Sequence, residues 1–313
     1  MKTRRPRVLL KYFAVISTIC IFVLLLLLGF ISLVDRARQI EWPWEVAVLS
    51  DPTVIPTNHY PMRVTAIRAP GTRWGGAGAI DAVGNQIFLA TRSGGFFRYV
   101  RGKSGFERLE IPSPTNITAL VKNFKENKFR TSFGLKDMLI SDQSGKTTIY
   151  ATYHIWKEAQ KCYALRLSRY DFSGMGEVES KSKSSEWETL FETQPCVSAG
   201  QSNYPLEAGG RLSFLEDNIL LMTVGDHDFK RSSFVQAVDT SYGKIWKINV
   251  RSGHSEIFSI GHRNPQGLFV SASGVIWETE HGPKGGDELN IIKKGANYGW
   301  PLRTYGTAYG KYI

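Results

Sequence analysis

Short β-type segments separated by turn residues recur through most of this chain. Representative pairs are Gln86–Arg92 with Phe96–Val100, and Arg211–Phe214 with Ile219–Val224, each joined by a short turn. Long amphipathic helical patterns are almost absent, and only a weak one lies around residues 118–126. Many short strands with regular turns predict an all-β fold of the sandwich, barrel or propeller type.

The spacing of the strand pairs favours the propeller among these folds. Apolar-turn-apolar units return at intervals of roughly 40–60 residues, which is close to the period of known propeller repeats. A content of 30 glycines and 12% aromatic residues fits glycine-rich turns between short aromatic strands. The remaining predicted strands are Thr148–Tyr153, Cys162–Tyr170, Lys244–Val250, Ser255–Ile260, Leu268–Ser271 and Val275–Thr279.

The first residues of the chain predict a membrane anchor. Residues 1–11 form a basic segment, and residues 12–34 contain no charged side chain. About 20 apolar residues are enough to cross about 30 Å of hydrocarbon, so the run is long enough for one transmembrane helix. The preceding basic cluster favours a cytoplasmic amino end and an exported remainder. We expect a single-pass protein of the inner (cytoplasmic) membrane whose main domain lies on the periplasmic or extracellular side.

A cleaved signal peptide is the alternative interpretation of this run. The apolar region of a signal peptide usually has about 7–15 residues and ends in a small-x-small site. The run here is longer, and Ile31–Val34 contains no such site, so an uncleaved anchor is favoured. Residues 35–60 are interpreted as a proline-interrupted linker. The main domain is predicted to occupy residues 61–313.

The formal net charge of +11 raises the question of a nucleic-acid partner. Five of these charges precede the apolar run, and the rest are scattered without a block of basic residues interleaved with aromatics. We therefore expect no nucleic-acid partner. Of the three cysteines, Cys20 lies in the apolar run, whereas Cys162 and Cys196 lie in the predicted exported part. Those two could form a disulfide or remain free thiols.

The densest group of polar residues lies near the carboxyl end, at residues 261–268 and 277–290. Arg263 offers a planar set of donors suited to a carboxylate or quinone oxygen, and Asn264 and Gln266 add directional polar groups. The carbonyls of Gly282 and Pro283 could face a hard cation such as Ca²⁺. Each group also has a structural interpretation, such as a turn or a brace between strands, but their density favours a site.

These segments resemble the PQQ-dependent sugar dehydrogenases, also called glucose/sorbosone dehydrogenases, where PQQ is pyrroloquinoline quinone. The resemblance is carried in order by Gly261–Leu268, Glu280–Asn290 and Asn297–Pro301. Weaker similarity extends upstream through Gly209–Leu212 and Gly225-Asp226. The resemblance implies a six-bladed propeller, here incomplete, with PQQ and Ca²⁺ at its axis. It also implies a sugar or alcohol substrate and an electron acceptor such as a quinone or cytochrome.

The resemblance implies specific roles for these residues. Arg263 and Asn264 would contact the quinone oxygens and Gln266 would line the cofactor site. The carbonyls of Gly282 and Pro283 would hold Ca²⁺. Asp226 would orient the catalytic base. Asn297–Pro301 is interpreted as a structural aromatic-glycine corner.

Two features depart from the family pattern. Glu207 stands where the family has its catalytic histidine, in the segment before Gly209–Leu212. A carboxylate can act as a general base, although nearby Asp226 should raise its pKa by repulsion. Further, the chain ends at Ile313, where related proteins continue, so we expect a domain truncated at its carboxyl end. The leading hypothesis is a membrane-anchored dehydrogenase using Glu207 and Asp226. The alternative is an inactive propeller that binds a sugar or protein.

A hydrolase is the third function class, and the sequence gives it little support. It contains neither a G-x-S-x-G segment nor an H-E-x-x-H segment. The six histidines show no metal-ligand spacing in the sequence.

Overall fold

The computed structural model describes residues 53–55, 59–64, 69–70, 78–100, 105–123, 133–143, 146–172, 186–198, 206–228 and 233–307. All of them belong to one compact unit. The predicted membrane anchor at residues 12–34 lies outside these ranges. Within the described part of the chain, no helix is long and apolar enough to cross a membrane.

Four antiparallel sheets follow one another along the chain and form the blades of a propeller. Blade 1 contains β3 (Ala79–Val83), β4 (Gln86–Ala90), β5 (Phe96–Val100) and β6 (Phe106–Leu109). Blade 2 contains β7 (Leu135–Gln143), β8 (Lys146–Lys157), β9 (Cys162–Phe172), β10 (Glu188–Glu192) and the short β11 (Val197–Ser198). Blade 3 contains β12 (Gly209–Glu216), β13 (Ile219–Val224), β14 (Lys244–Asn249) and β15 (Ser255–Ile260). Blade 4 contains β16 (Pro265–Val270), β17 (Ile276–Glu280) and β18 (Glu288–Ile292).

Among the described residues, two further elements lie outside the blades. A separate hairpin pairs β1 (Thr53–Ile55) with β2 (Met62–Val64), so β1 falls in the segment predicted as a linker. One helix, α1 (Ile117–Asn123), lies close to the weak helical pattern predicted around residues 118–126. The described chain is therefore almost entirely β-structure, and the predicted all-β propeller is confirmed.

The hydrophobic cores lie between successive blades. On β13, Leu220 and Met222 pack in one core with blade 2, whereas the intervening Leu221 packs in another with blade 4. Successive side chains of a strand point to opposite faces of the sheet, so a nearly continuous apolar run serves two cores. Blades 1 and 2 share a third core that includes Phe88, Phe96 and Met138.

The first strands β3, β7, β12 and β16 are neighbours in space and form the inner wall of the propeller. A repeated hydrogen bond connects each to the next. The backbone N–H of Ile140 donates to Asp81 Oδ2 (2.7 Å), and that of Leu212 donates to Asp137 Oδ2 (2.8 Å). The third copy is a longer bond from the Val270 N–H to Ser213 Oγ (3.3 Å). Because the inner strands start at the same end of the molecule, the residues just before β12 and β16 lie close together.

A disulfide joins Cys162 at the start of β9 to Cys196, one residue before β11, at a sequence separation of 34. Of the two states that the sequence left open, the structure has the bonded one. The bridge fastens the short β11 to the side of blade 2.

Candidate functional site

Three charged side chains meet where the inner strands of blades 3 and 4 begin. Glu207 lies two residues before β12, Asp226 lies two residues after β13, and Arg263 lies two residues before β16. Backbone hydrogen bonds fix these segments to one another. The Asp226 N–H donates to the Arg263 carbonyl (2.8 Å), and the His227 N–H donates to the Glu207 carbonyl (3.1 Å). Residues far apart in sequence are thereby held in one place.

Arg263 is the centre of this group, and it is 7% exposed. Its Nη2 pairs with the Glu207 carboxyl group. Its Nη1 donates to the carbonyls of Gly282 (2.8 Å) and His281 (3.1 Å). Its Nε is buried and has no hydrogen-bond partner among the described residues. The guanidinium group therefore retains one buried N–H that is available to an acceptor.

Asp226 connects this pair to an aromatic residue. Its carboxyl group is buried and hydrogen-bonded to Glu207, and its Oδ2 accepts a bond from Trp300 Nε1 (2.7 Å). The indole ring of Trp300 also lies beneath the Arg263 guanidinium, 5.4 Å from Cζ to the ring centroid. Trp300 thus contacts both Asp226 and Arg263. This role goes beyond the structural corner predicted for Asn297–Pro301.

The electrostatics of the group depend on Glu207. Burial raises the pKa of its carboxyl group, and repulsion from Asp226 raises it further, to about 9, although Arg263 acts in the opposite direction. The predicted direction of this pKa shift is confirmed. Near neutral pH, Glu207 and Asp226 together hold one proton, as closely spaced carboxylates do. The group can therefore accept a proton only after Glu207 has ionised.

Two glycines let the backbone approach the site closely. A Cβ atom on Gly225 would lie 2.0 Å from the Glu207 carbonyl oxygen. Gly261 has a φ of +83°, and a Cβ atom there would lie 2.2 Å from Asn297 Oδ1. A side chain at Gly225 would push apart the segments that carry Glu207 and Arg263, and one at Gly261 would displace the segment that carries Trp300.

The other predicted site residues flank Arg263. Gln266 Nε2 donates to Asn264 Oδ1 (2.6 Å), which places these two polar side chains against each other at the start of β16. Gly282 and Pro283 follow the end of β17. The Gly282 carbonyl, predicted as a metal ligand, accepts the bond from Arg263, so the structure connects the predicted cofactor and metal positions directly.

A cleft opens beside the group. It is lined by Gly261, Arg263, Glu280, His281, Gly282, Glu288, Tyr298, Trp300, Arg303 and Thr304.

A second buried cluster adjoins the first, and the sequence analysis did not predict it. His262, Glu278 and Glu280 bring their ligand atoms within 4.8 Å of one another. Burial, with repulsion from Glu280, raises the pKa of Glu278 to about 9. Glu278 and Glu280 lie two residues apart in a β-type segment, so the sequence could have indicated that their side chains share one face of a strand. The histidine, however, joins them only through the pairing of β16 with β17, which spacing along the chain does not reveal.

Comparisons with known proteins agree with the fold and the motifs. The soluble aldose sugar dehydrogenase of Escherichia coli, solved in its apo form, superimposes with a TM-score of 0.54 at 25% identity, covering 75% of this chain and 65% of that one. The uncharacterized protein slr1608 of Synechocystis is 29% identical over 296 residues, covering 86% of this chain and 59% of that protein. Quinoprotein glucose dehydrogenase B of Acinetobacter calcoaceticus is 53% identical over 47 residues, which are 15% of this chain and 10% of that protein.

The chain spans about 59% of the length of its curated Synechocystis relative. The sequence model of the glucose/sorbosone dehydrogenase family matches residues 87–313, which is well over half of the chain and includes all four blades apart from β3 and the first residue of β4. This chain therefore belongs to the glucose/sorbosone dehydrogenase family.

Proposed function

We propose that this chain is part of a membrane-anchored, PQQ-dependent oxidoreductase that oxidises an aldose sugar or related alcohol with the assistance of Ca²⁺. The observation that carries the proposal is the buried group of Glu207, Asp226 and Arg263 beside a cleft, at positions that match the family motifs. Fold alone would not support an activity, since one fold serves many functions.

The residues around Arg263 fit an oxygen-rich quinone. A buried donor without a partner is unfavourable by roughly 1–3 kcal/mol, and an acceptor oxygen of the cofactor would satisfy the Arg263 Nε–H. Asn264 and Gln266 add polar groups beside it. When bound, PQQ would supply a two-electron acceptor for hydride, with Ca²⁺ as a Lewis acid.

Gly282 and Pro283 fit the proposed Ca²⁺ site by the chemistry of their donors. Backbone carbonyls are typical calcium ligands. A carbonyl oxygen has two lone pairs, so the Gly282 oxygen can accept from Arg263 and still face a cation. Arg263 would then position the same carbonyl that holds the ion.

Glu207 is the residue that would accept the proton of the sugar hydroxyl group. Oxidation of a sugar at C1 removes one hydride from carbon and one proton from the hydroxyl group, which leaves a carbonyl. In its ionised form Glu207 would take that proton, while Asp226 and Arg263 hold its carboxyl group in place. Because the pKa of Glu207 is raised to about 9, the ionised fraction grows as pH rises towards that value.

This assignment predicts a specific pH dependence and a specific loss of activity. With the full chain loaded with PQQ and Ca²⁺, aldose-dependent dye reduction should increase with pH up to about 9. Glu207→Gln should lower kcat by about 10²–10⁴-fold, the usual contribution of a general base. Glu207→His should move the acid limb of the profile to lower pH, since histidine has a reference pKa of about 6.5.

Glu216→Gln is the matched control, because Glu216 is an exposed carboxylate at the other end of β12. It should leave both the rate and the pH profile unchanged. An unchanged kcat in Glu207→Gln, or a profile that is flat between pH 5 and 9, would contradict the role of Glu207.

One observation favours the alternative of an inactive binding propeller. At neutral pH the Glu207–Asp226 pair is protonated and engaged by Arg263, which is a stable arrangement without a substrate. Retention of sugar affinity in a wild-type protein that never reduces a dye would identify this second function.

The proposed location is an exported domain held by a helix at residues 12–34. The disulfide between Cys162 and Cys196 supports export, because such bonds persist mainly in oxidising compartments. Protease accessibility in intact cells and spheroplasts tests this. Protection of the domain in spheroplasts would place it in the cytoplasm instead.

A further inference from the structure

Blade 4 buries a concentration of carboxylates beside one histidine. Glu278 and Glu280 lie two residues apart on β17, so their side chains leave the same face of the sheet. His262 lies just before β16, which pairs with β17. The exposed fractions are 1% for Glu278, 6% for Glu280 and 0% for His262.

The hydrogen-bond donors around this cluster are too few for its carboxyl groups. Three carboxyl groups, those of Glu278, Glu280 and Glu288, surround the Asn290 amide. Its Nδ2 lies 3.1 Å from Glu278 Oε2, 3.3 Å from Glu280 Oε1 and 3.2 Å from Glu288 Oε2. One neutral amide has two N–H groups to share among three carboxyl groups, so it cannot satisfy all of them.

Glu278 shows this shortage of hydrogen-bond donors most directly. Its second oxygen, Oε1, is buried and has no hydrogen-bond partner among the described residues. Burying a carboxylate oxygen without a partner is costly, and buried charges are normally paired or coordinated to metals. The unpartnered Glu278 oxygen is independent of the short distances within the cluster. It indicates that a positively charged ion binds here.

His262 is oriented as metal-bound histidines usually are. Its Nε2 shares a hydrogen bond with Ser259 Oγ (2.8 Å), and its Nδ1 faces Glu280 Oε1 at 3.3 Å. The ring also stacks on Tyr298, with centroids 4.8 Å apart. A bond at one ring nitrogen fixes the orientation of the other, which is how neighbouring groups prepare a metal ligand.

We infer that His262, Glu278 and Glu280 form a binding site for one divalent transition-metal ion, of which Mn²⁺ and Zn²⁺ are examples. Three ligand atoms within 4.8 Å of one another can share a centre no more than about 2.8 Å from each, and side-chain shifts would bring them to about 2.0–2.2 Å. An imidazole with carboxylates suits such ions. Glu280 also lines the cleft, which offers a path for the ion and for water ligands.

This site is distinct from the Ca²⁺ position proposed at Gly282 and Pro283, because it uses side chains instead of backbone carbonyls. The test therefore uses Mn²⁺ alone, added to the full chain in the presence of saturating Ca²⁺ and without PQQ or sugar. We expect one bound Mn²⁺ per chain, with a pulsed electron paramagnetic resonance signal from a coordinated imidazole nitrogen. Glu278→Gln should weaken Mn²⁺ binding by at least about 10-fold, the order seen when a ligand environment is disturbed.

Glu256→Gln is the control, since Glu256 is a half-exposed carboxylate on β15 paired with surface lysines. It should bind Mn²⁺ as the wild type does. His262→Gln should remove the nitrogen signal. If Glu278→Gln does not fold, the wild-type spectrum decides alone. Failure to bind Mn²⁺, absence of the nitrogen signal, or unchanged affinity in a folded Glu278→Gln protein would overturn the inference. None of these outcomes depends on dehydrogenase activity.

Discussion

At the scale of single residues, Trp300 connects Asp226 to Arg263 in the proposed site. Its Nε1 donates to Asp226, and its ring supports the Arg263 guanidinium from below. A hydrogen bond to a charged group contributes about 1.5–3 kcal/mol, more than a neutral one. Trp300 is therefore a positioning residue, because it contacts both the Asp226 carboxyl group and the Arg263 guanidinium.

Trp300→Phe separates the two contacts, because phenylalanine keeps an aromatic face under Arg263 but loses the N–H donor. We expect kcat/KM to fall about 10-fold, the kinetic equivalent of about 1.4 kcal/mol. The acid limb of the pH profile should move to higher pH, since the ionised carboxylate pair loses a donor. Steady-state kinetics over a range of pH measure both effects.

Trp277→Phe is the control for this prediction, because Trp277 is a half-buried tryptophan of β17 outside the group. It should leave the pH profile in place. A Trp300→Phe protein with lower thermal stability but an unshifted profile would show that the residue is only structural.

The sequence predicted the charged group but not its connections. Arg263, Glu207 and Asp226 were predicted because their segments match family motifs, and the structure brings all three together. Trp300 was interpreted as a structural corner because its bond to Asp226 spans 74 positions. Contacts of that kind depend on how blades are arranged around the axis, which local patterns do not encode.

At the scale of elements, one type of hydrogen bond connects the inner strands of adjacent blades. A side chain on the first strand of one blade accepts a hydrogen bond from the backbone of the next, at Asp81, Asp137 and Ser213 in turn. The three bonds differ in acceptor type and in position along the strand, but each joins the inner strands of adjacent blades. Adjacent blades are therefore held at a fixed offset along the axis.

Asp137→Ala should destabilise the fold by about 1–3 kcal/mol, because it leaves the buried Leu212 N–H without an acceptor. Urea unfolding measures the change in the free energy of unfolding. Asp142→Ala is the matched control, because Asp142 is an exposed residue of the same strand. Equal stability of the two variants would contradict a structural role for the connection between blades 2 and 3.

Strand hairpins were predictable, whereas several edge and short strands were not. The pairs Gln86–Arg92 with Phe96–Val100 and Arg211–Phe214 with Ile219–Val224 correspond closely to observed strands because both periodicity and turn residues were present. By contrast, β10 (Glu188–Glu192) follows a polar stretch, and β18 (Glu288–Ile292) begins within the polar segment 277–290 that suggested a site. Tertiary pairing with β9 and β17 outweighs the local pattern there.

At the scale of the whole molecule, stability comes from cores between blades and function from their inner edge. The face of blade 4 turned away from blade 3 carries the exposed Phe269, Leu289 and Ile291, at 62%, 65% and 50% exposure. The inner edge of the same blade carries Arg263 and the carboxylate cluster. One blade thus combines the proposed cofactor position, the inferred metal site and the contact with Glu207 of blade 3.

The most direct test of the central claim is an anaerobic absorption spectrum of the full chain loaded with PQQ and Ca²⁺, recorded before and after addition of an aldose. We expect PQQ to bind and the sugar to reduce it stoichiometrically, whereas Glu207→Gln should bind PQQ and leave it oxidised. Bound PQQ that no sugar or alcohol reduces, or a chain that binds no PQQ, would rule out the proposed dehydrogenase.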